Sequence, residues 1–589
     1  MLVYGDQVRI ADPRQVLAGL RHGLQTLDTV GPPVERHSRL ASLFISAGEL
    51  AQGLADAASA GQGGDGPSAE EDAAIALVMA LASATLDSWR ALGEETVAPA
   101  VEKVALRDAL TCVEGLPLPA EVELKTAEGY AFYALYPEAY AEAALQLPSC
   151  GEHRVIGIRS IGSGLAAVVA ATLGAGRPTT VRPVGHPFQR RLQLTSRLET
   201  SLKASAKSRF IVVDEGPGLS GSSFGAVADA LEGLGAAPPR ITFLPGHGGE
   251  LGSKASEAHR ARWATAERPC VSFDTLVLRA EAPGHRLQSW FADLTGGEDA
   301  SLIEVSGGAW RAHRYAEEAA WPASNTHQER RKFLLRGPAG TWLLKFVGLG
   351  AAGERAFAQA QALAGAGFAP QASALRYGFL AQPWLADTRP LQLRPEDRHA
   401  FVRRLGDYLG WRAEHLPAPD RAGASLTTLL EMARVNVAES LGGAAARSPA
   451  LAEALWTSAT PLRRVWTDNR LHAHEWLEQG EGGWLKADGV DHAAAHDLIG
   501  AQDIAWDLAA ARSEFELEVS EAALLLAIVR ERAEVDPDLV ALLEPIYLAF
   551  QLGVYTLAAE AHGAWPQERV RLQRMGAAYR RRLSRRLFE

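Results

Sequence analysis

A pair of neighbouring acids stands between a run of apolar residues and a run of small ones. Phe-Ile-Val-Val at residues 210–213 predicts a buried strand, and Asp214 and Glu215 follow it directly. A Gly/Ser loop then leads into a helix that is predicted to begin near Phe224. Ligands of open α/β sheets bind beyond the carboxyl ends of strands, and free N–H groups at a helix start attract anions. The stretch therefore predicts a sugar-phosphate site, in which the carboxylates hydrogen-bond sugar hydroxyls or help to hold Mg²⁺.

A second strand, small-residue loop and helix are predicted upstream, at residues 155–166. Val-Ile-Gly-Ile is followed there by Arg159, Ser160 and two glycines, Gly162 and Gly164. A loop of this kind is often only a tight turn, so the prediction depends on the two loops occurring together and in this order. Between them, Arg182 opens a basic segment rich in Pro and Gly, which supplies cations for an anionic ligand.

These segments resemble the substrate-binding loops of type I phosphoribosyltransferases, whose signature is a hydrophobic strand, two acids and a Ser/Thr-Gly phosphate loop. The resemblance implies that Asp214 and Glu215 are catalytic and bind the ribose hydroxyls of phosphoribosyl pyrophosphate (PRPP). Gly216-Pro217-Gly218 makes this loop about one residue longer than the family pattern. The remaining PRPP ligands that the resemblance implies are Arg159, Ser160, Gly162, Gly164, Arg182, Ser220, Gly221, Ser222 and Ser223.

The chemistry that the resemblance implies is displacement at C1 of the ribose with loss of pyrophosphate, assisted by Mg²⁺. The acceptor is a nucleobase or another nitrogen nucleophile. Neither loop contains the Gly-x-Gly-x-x-Gly of dinucleotide sites or the Gly-x-Ser-x-Gly of serine hydrolases. The alternative is a regulatory protein that senses PRPP or a nucleotide without turning it over.

Charged residues with a different spacing mark the C-terminal half. Lys345 ends an apolar strand, and Glu354 follows at the start of a predicted helix. Asp468 opens a His-rich segment, and Asp488 and Asp491 follow a second apolar run. Phosphoryl transfer needs a cation on the phosphates, a carboxylate near the acceptor hydroxyl and another carboxylate on Mg²⁺. These five residues are candidates for the three roles.

Their order resembles that of aminoglycoside-phosphotransferase-like kinases. Gln-Asp-Ile-Ala-Trp-Asp-Leu-Ala at residues 502–509 is similar to the Gly-Asp-x-x-x-Asp-Leu-Ala helix start of that family. The sequence departs from the family in lacking His-Gly-Asp and in lacking an asparagine five residues after Asp468. The resemblance assigns ATP to Lys345 and Glu354, catalysis to Asp468, and the metal ion to Asp488 and Asp491.

A metal cluster is the other interpretation of the His-rich segment, and it would make the C-terminal half a metal-dependent hydrolase. Histidine and carboxylate side chains are the usual ligands of such sites. The candidate ligands in this interpretation are His472, His474, Asp488, Asp491, His492, His496 and Asp497.

Strand and helix patterns that alternate along residues 121–300 predict an α/β domain with a parallel sheet, phosphoribosyltransferase-like in the terms of the resemblance. Residues 1–120 are predicted to form a helical region that caps the protein or mediates homo-oligomerisation. Residues 301–589 are predicted to form a two-lobed α+β kinase-like domain. The β-rich runs predicted around these sites are residues 129–136, 307–313 and 331–347.

The composition limits the classes of function. A formal net charge of −11 argues against a general nucleic-acid-binding surface. The three cysteines form no close pair, which argues against a zinc ribbon or a disulfide framework. The sequence contains no run of about 18 apolar residues and no secretory leader pattern, so we expect a cytoplasmic protein without a membrane partner.

Together these patterns predict a fusion of a phosphoribosyltransferase-like domain with a kinase-like domain that acts in nucleotide-related metabolism. The expected small-molecule partners are PRPP, a nucleobase-like acceptor and ATP. The order of the two reactions is not determined by the sequence. In the alternative of a regulatory protein that senses PRPP or a nucleotide, the C-terminal half is a degenerate kinase domain used for binding.

Overall fold

The computed structural model describes residues 1–2, 8–27, 31–94, 96, 103–148, 151–297, 299–451, 462–480, 483–495 and 499–588. The helices are α1 (Pro13–Thr26), α2 (Pro33–Gln62), α3 (Ala69–Gly93), α4 (Lys103–Glu114), α5 (Glu128–Phe132), α6 (Pro137–Ala144), α7 (Gly162–Leu173), α8 (Ser196–Ala204), α9 (Ser222–Gly233), α10 (Glu257–Thr265), α11 (Ala292–Thr295), α12 (Gly350–Gly365), α13 (Arg398–His415), α14 (Leu426–Leu441), α15 (Ala505–Glu514), α16 (Val519–Arg530), α17 (Pro537–Ala561) and α18 (Pro566–Phe588). The strands are β1 (Val8–Ala11), β2 (Val122–Lys125), β3 (His153–Ile158), β4 (Thr179–Val181), β5 (Val184–His186), β6 (Gln189–Arg191), β7 (Arg209–Val213), β8 (Ile241–Leu244), β9 (Ser301–Glu304), β10 (Lys332–Gly337), β11 (Gly340–Phe346), β12 (Ala374–Arg376), β13 (Phe379–Pro383), β14 (Arg389–Pro390), β15 (Arg464–Val465), β16 (Trp476–Gln479), β17 (Gly483–Lys486) and β18 (Gln502–Asp503).

The N-terminal region is mainly helical, as its apolar periodicity predicts. Side-chain caps begin two of its helices, because Asp12 accepts a hydrogen bond from the Arg14 N–H and Ser68 accepts one from the Glu71 N–H. The antiparallel pair formed by β1 and β2 was not predicted. Gly53 of α2 lies so close to β2 that a Cβ there would meet the Glu123 carbonyl oxygen at 3.1 Å. The helical region is thus packed directly against the element that opens the α/β unit.

A four-stranded parallel sheet in the order β4-β3-β7-β8 forms the centre of the chain. The side chains of β7 alternate between two apolar cores: Ile211 and Val213 lie in one, and Phe210 and Val212 lie in the other. A strand buried on both faces must be apolar throughout, which is why this run was recognisable from sequence. The mixed α/β architecture with a parallel sheet is therefore confirmed.

The strand predicted at residues 129–136 is wrong, because these residues include α5 and an irregular turn. Gly129, Tyr130 and Ala131 are all buried, so this segment lacks the alternation of a half-exposed strand. The first-turn N–H of Gly129 donates to the Glu215 carboxylate at 2.7 Å. The helical part of the segment is therefore buried, whereas Tyr133 after it is exposed, and a buried short helix has the same composition as a buried strand.

An antiparallel sheet in the order β12-β13-β11-β10-β9 opens the C-terminal half. The predicted hairpin at residues 331–347 is confirmed, with β10 and β11 joined at Gly337 and Gly340. The strand predicted at residues 307–313 is wrong: Gly307 and Gly308 adopt positive φ angles of 61° and 81°, and a 3₁₀ turn follows. An extended run cannot pass through two left-handed residues, and the third strand is formed instead by β9.

The rest of the chain is chiefly helical, with two small sheets, β14-β16-β17 and β15-β18. Among the described residues, two helices, α3 and α17, are long and apolar enough to cross a membrane by length and composition. Of their most apolar windows, 56% and 78% are buried inside the protein, respectively. Both helices contribute to apolar cores, which accounts for their composition.

One apolar core runs from Leu17 to Ala381 and so crosses both predicted domain boundaries, near residues 120 and 300. A buried polar group fixes the junction. The Glu138 carboxylate accepts hydrogen bonds from the Tyr377 hydroxyl at 2.8 and 2.9 Å, and His37 Nε2 lies 3.3 Å from the same carboxylate. All three side chains are inaccessible to solvent. One residue of each predicted region thus meets in this group.

Candidate functional site

A cavity of about 230 Å³ lies between the antiparallel sheet and the helical part of the C-terminal half. Leu343 and Lys345 of β11 and the segment that follows β13 form one wall, and loops of the helical part form the opposite wall. Phe132 and Tyr133, at the end of α5, close one side. The parallel-sheet unit therefore contributes directly to a cavity that lies in the C-terminal half.

Lys345 links the two walls of this cavity. Its ammonium lies 2.6 Å from Asp488 Oδ2 and 3.1 Å from Asp491 Oδ1, and its side chain is almost fully buried. Asp491 also lies 3.4 Å from Nε of Arg330. Burial acts to raise the pKa of Asp488, but Lys345, His492 and Lys332 together outweigh burial and hold this pKa well below its usual range. The structure therefore brings together Lys345, Asp488 and Asp491, as the sequence predicts.

Glu354 does not join this group. It lies on the outer side of α12, where its carboxylate accepts hydrogen bonds from Arg39 at 3.0 Å and from Ser42 at 3.1 Å. Its side chain is 43% exposed. The predicted pairing of Glu354 with Lys345 is wrong, because the lysine takes its carboxylates from the opposite lobe.

Asp468 is not positioned as a residue that meets a ligand. Its carboxylate is buried, accepts a hydrogen bond from the Tyr408 hydroxyl, and lies 3.3 Å from Nζ of Lys486. Burial acts to raise its pKa, but Lys486, His492 and Arg412 together outweigh burial, so this pKa lies well below its usual range and the carboxylate is ionised. His492 Nδ1 lies 3.9 Å from the same carboxylate. The predicted role of Asp468 as the carboxylate beside the acceptor is not supported, because its side chain faces other protein groups rather than the cavity.

The first residues of α15 hold the loop that follows Asp468 through hydrogen bonds. Asp507 accepts backbone hydrogen bonds from Asp468 at 2.7 Å and from Asn469 at 3.0 Å. Trp506 donates to the Asn469 side chain at 2.8 Å, and Asn469 in turn donates to the His492 carbonyl at 3.0 Å. The motif at residues 502–509 therefore positions this loop.

One set of potential metal ligands lies on the cavity wall among the described residues: Glu475, Asp488 and His492, whose ligand atoms lie within 4.8 Å of one another. Burial acts to raise the pKa of Glu475, but the neighbouring basic groups, Lys486 and Arg470 foremost, together outweigh burial and lower this pKa to about 2. Two carboxylates and an imidazole are ligand types that divalent cations accept, so these residues can hold a metal ion.

The other histidines of the predicted metal cluster, His472 and His474, line the same cavity, and His474 Nε2 lies 3.7 Å from Glu475 Oε1, but neither belongs to this set of ligands. His472 faces the hydroxyls of Tyr579 and Tyr555, at 3.1 and 3.3 Å, and His474 packs near Trp310. Burial lowers the pKa of His472 and of His474 to about 3, so both are neutral at physiological pH. His496 and Asp497 lie outside the described residues.

Asp214 and Glu215 lie where predicted, beyond the carboxyl end of the central strand β7. The Asp214 carboxylate accepts from the Glu215 N–H at 2.9 Å, and the Glu215 carboxylate accepts from Gly129. Burial raises the pKa of Asp214 to about 7. Burial and the neighbouring charge of Asp214 raise the pKa of Glu215 to about 8. Ionisation of these two carboxylates therefore lowers the free energy of unfolding.

The serine loop folds back on a neighbouring hairpin. Ser222 donates to the Pro187 carbonyl at 2.8 Å, and Ser220 donates to Ser222 at 3.0 Å. Gly221, with φ 62°, precedes α9 and Ser223 lies in its first turn. The loop thus enters a helix as predicted, but the hydroxyls of Ser220 and Ser222 are engaged by protein atoms. The Gly221 and Ser222 N–H groups also donate within the loop, to the Pro217 carbonyl at 3.1 Å and to Ser220 Oγ at 3.2 Å.

The predicted cations of this site are paired with acids of the N-terminal region. Arg159 forms an ion pair with Asp65, and its Nε lies 3.0 Å from Asp56. Arg182 donates to both oxygens of Asp56, at 2.6 and 2.5 Å. The assignment of these two arginines to pyrophosphate is not supported, because buried Asp65 and half-buried Asp56 already neutralise them.

The upstream glycines serve packing. A Cβ at Gly162 would meet the Val213 carbonyl oxygen at 2.7 Å, and one at Gly164 would meet the Phe44 ring at 3.2 Å. The peptide bond between Arg159 and Ser160 is cis. Close approach of α7 to β7 and α2 explains the small residues of this loop without a ligand.

We expect the Asp214–Glu215 pair to make the protein less stable as pH rises. Both folded-state pKa values are raised, so the folded state binds more protons than the unfolded state between roughly pH 4 and pH 8, and stability falls across that window. The double variant Asp214→Asn/Glu215→Gln should be about 2 kcal/mol more stable than wild type at pH 8 and no more stable at pH 4. The gain at pH 8 is smaller than the two pKa shifts alone imply, because solvent screens both carboxylates. Urea unfolding at both pH values tests this, with exposed Glu199→Gln as the control; parallel pH profiles would contradict it.

Arg330 and Glu475 are site residues that were missed from sequence. Arg330 donates to the Ala131 carbonyl at 2.9 Å and its guanidinium lies 4.8 Å from the centre of the Phe132 ring, so it connects α5 with Asp491. The sequence features that could have indicated them are the charged run at residues 329–332 for Arg330, and the position of Glu475 directly after His474. Neither signal identifies which charges face inward.

Comparison with known proteins gave structural similarities over part of the chain. No family model matches the sequence, and no curated protein matches it. Choline kinase LicA from Streptococcus pneumoniae is 15% identical over 42% of this chain and 89% of its own, with a TM-score of 0.29. A choline/ethanolamine kinase family protein from Mesorhizobium loti is 15% identical over 44% and 88%, with a TM-score of 0.31. A putative aminoglycoside phosphotransferase from Ralstonia eutropha JMP134 is 14% identical over 51% and 97%, with a TM-score of 0.34.

Proposed function

We propose that the chain is an ATP-dependent phosphotransferase that acts on a small molecule in the cavity between the two lobes. The observation that carries the proposal is the buried Lys345 ammonium at the cavity wall, held between Asp488 and Asp491 of the opposite lobe. A cation on one wall and carboxylates on the other can hold the two components of a nucleotide–metal complex.

The apolar part of the cavity fits the base of a nucleotide. Leu343, Pro370 and Leu385 line it, and Trp384 lies beside them with the Arg314 guanidinium 3.7 Å from its ring centre. Planar rings bind well between aliphatic and aromatic side chains. A base bound here would direct its phosphates toward Lys345.

The polar part fits phosphates and a divalent cation. Asp488 and Glu475 would hold the cation, which neutralises charge on the phosphates. Arg470 is 44% exposed, lines the cavity and lies 3.8 Å from Glu475. This guanidinium would stabilise negative charge on the group in transfer.

The test is transfer of label from γ-labelled ATP to a fractionated pool of small metabolites by the intact chain, with Mg²⁺ and Mn²⁺ supplied in turn. We expect a labelled product other than inorganic phosphate. Nucleotide binding with neither transfer nor ATP hydrolysis would contradict the proposal and favour a regulatory role.

Glu354→Gln is expected to leave ATP affinity within about twofold of wild type, because Glu354 pairs with Arg39 outside the cavity. An exposed ion pair contributes little to stability, so the variant should also lose less than about 1 kcal/mol. Isothermal titration with ATP measures the affinity. A tenfold loss would mean that α12 turns toward Lys345 when the nucleotide binds.

For the parallel-sheet unit we propose a ribose-phosphate ligand, on the separate observation of Asp214 and Glu215 beside a small-residue loop at the start of α9. The 5′-phosphate would take N–H groups of the loop, and the two acids would take the ribose hydroxyls. Because Arg159 and Arg182 are paired with acids, the site has fewer free cations for a pyrophosphate than the resemblance implies.

Asp214→Asn is expected to weaken binding of ribose 5-phosphate or PRPP by roughly tenfold while the fold is retained, since it removes a charged hydrogen-bond acceptor. Titration calorimetry measures this, and Asp229→Asn on the outer face of α9 is the control. Pyrophosphate released from PRPP only when a nucleobase is present would support a transferase. Binding of PRPP without release of pyrophosphate would support a sensing role. Unchanged affinity in Asp214→Asn would contradict the proposed ribose-phosphate site.

A further inference from the structure

We propose that Glu475, Asp488 and His492 bind one transition-metal ion, and that Asp468 is a positioning residue that orients the His492 ring. The inference rests on the proposed phosphotransferase site, because it identifies the cation that this site uses. It also replaces the predicted pair of Asp488 and Asp491, since Asp491 faces Lys345 and Arg330 instead.

The His492 ring lies between two carboxylates. Its Nε2 is 3.5 Å from Asp488 Oδ2, on the cavity side, and its Nδ1 is 3.9 Å from Asp468 Oδ1, on the buried side. Nδ1 is buried and makes no hydrogen bond within the described part of the chain. A small movement of the ring toward Asp468 would make that bond. The arrangement is that of a ligating histidine whose second nitrogen is held by a carboxylate.

The backbone that carries each ligand is fixed by a separate hydrogen bond. Lys486 donates to the Asp488 carbonyl at 2.6 Å, and Asn469 donates to the His492 carbonyl at 3.0 Å. The Ala487 N–H donates to the Glu475 carbonyl at 2.8 Å. Ligands on a braced backbone lose little freedom when the ion binds, so the set is preorganised.

Ligand type determines which ion is preferred. Mg²⁺ favours an all-oxygen shell and keeps several waters, whereas an imidazole nitrogen favours first-row transition metals. Lys345 shares Asp488 with this set, but it can keep its contact with Asp491 when a metal ion binds. We therefore expect Mn²⁺ to bind at least tenfold more tightly than Mg²⁺.

The experiment is a titration of the chelator-treated full chain with Mn²⁺, in which free Mn²⁺ is followed by electron paramagnetic resonance without nucleotide. We expect one tight site, a loss of affinity of at least tenfold in His492→Gln, and a loss of tenfold to a hundredfold in Asp468→Asn. The matched control is His399→Gln, an exposed histidine of α13 outside the cavity. Circular dichroism of each variant reports whether it is folded.

Affinity for Mn²⁺ that is unchanged in a folded His492→Gln variant would overturn the inference. Where a variant fails to fold, competition in the wild-type chain decides: displacement of Mn²⁺ by an equal concentration of Mg²⁺ would also overturn it. Tight Mn²⁺ binding without phosphoryl transfer would support the metal site but contradict the proposed phosphotransferase function, and would favour metal-dependent hydrolysis. Phosphoryl transfer with Mg²⁺ alone and no tight Mn²⁺ site would support the proposed function and contradict the metal site.

Discussion

Lys345→Met is expected to lower ATP affinity about 10- to 100-fold and to abolish phosphoryl transfer. In the proposed site this ammonium would contact the phosphates, and hydrogen bonds to charged groups contribute about 1.5–3 kcal/mol each. Methionine keeps the length of the side chain, but it leaves Asp488 and Asp491 without their shared cation, so the variant should also lose stability. Isothermal titration and γ-labelled ATP transfer measure the two effects.

The control for this variant is Lys207→Met, an exposed lysine in the parallel-sheet unit that lies far along the chain from β11. It should bind ATP as the wild type does. A Lys345→Met protein with wild-type affinity for ATP would show that the phosphates lie elsewhere and would contradict the site. Loss of affinity together with loss of the folded signal would leave the charge of Lys345 unproven, so Lys345→Arg, which keeps the charge, should restore part of the binding.

Asp468→Asn is expected to destabilise the protein by about 3–5 kcal/mol, because removing one partner of a buried ion pair leaves Lys486 uncompensated. The folded-state pKa of Asp468 is depressed, so its contribution is present above about pH 4, the unfolded value, and is lost as pH falls further. Thermal and urea unfolding at pH 7 should show the loss. Asp407→Asn, an exposed acid on α13, is the control and should change stability by less than about 0.5 kcal/mol.

This variant also distinguishes two roles for Asp468. A positioning residue that supports His492 should lose stability and metal affinity together. If Asp468→Asn kept wild-type stability and metal affinity but lost phosphoryl transfer, Asp468 would be the catalytic carboxylate that the sequence predicts.

The parts of the fold that the sequence predicts correctly are mostly those that depend on local residue patterns. The strand at residues 210–213, the loop after it and the hairpin around Gly337–Gly340 depend on neighbouring residues, and all three are found. The segment at residues 129–136 was misassigned because its burial comes from contacts with distant residues such as Glu215. Periodicity over a few residues does not separate a buried helix from a buried strand.

The partners of charged side chains were the least predictable part of the site. Nothing near Arg159 in the sequence indicates that Asp65 neutralises it, and nothing near Glu354 indicates that Arg39 faces it. These pairs form between elements that meet only when the helical N-terminal region packs on the rest of the chain. A motif defines which residues are available for chemistry, whereas long-range packing decides which of them remain free.

The buried junction of His37, Glu138 and Tyr377 has a practical consequence for anyone who dissects this protein. Expression of residues 121–300 alone would remove both neighbours of an inaccessible carboxylate and strip one side from a shared apolar core. Such a fragment should aggregate or remain unfolded. Truncations should therefore keep residues 17–381 on one polypeptide, and each proposed site is best tested in the whole chain by point substitution.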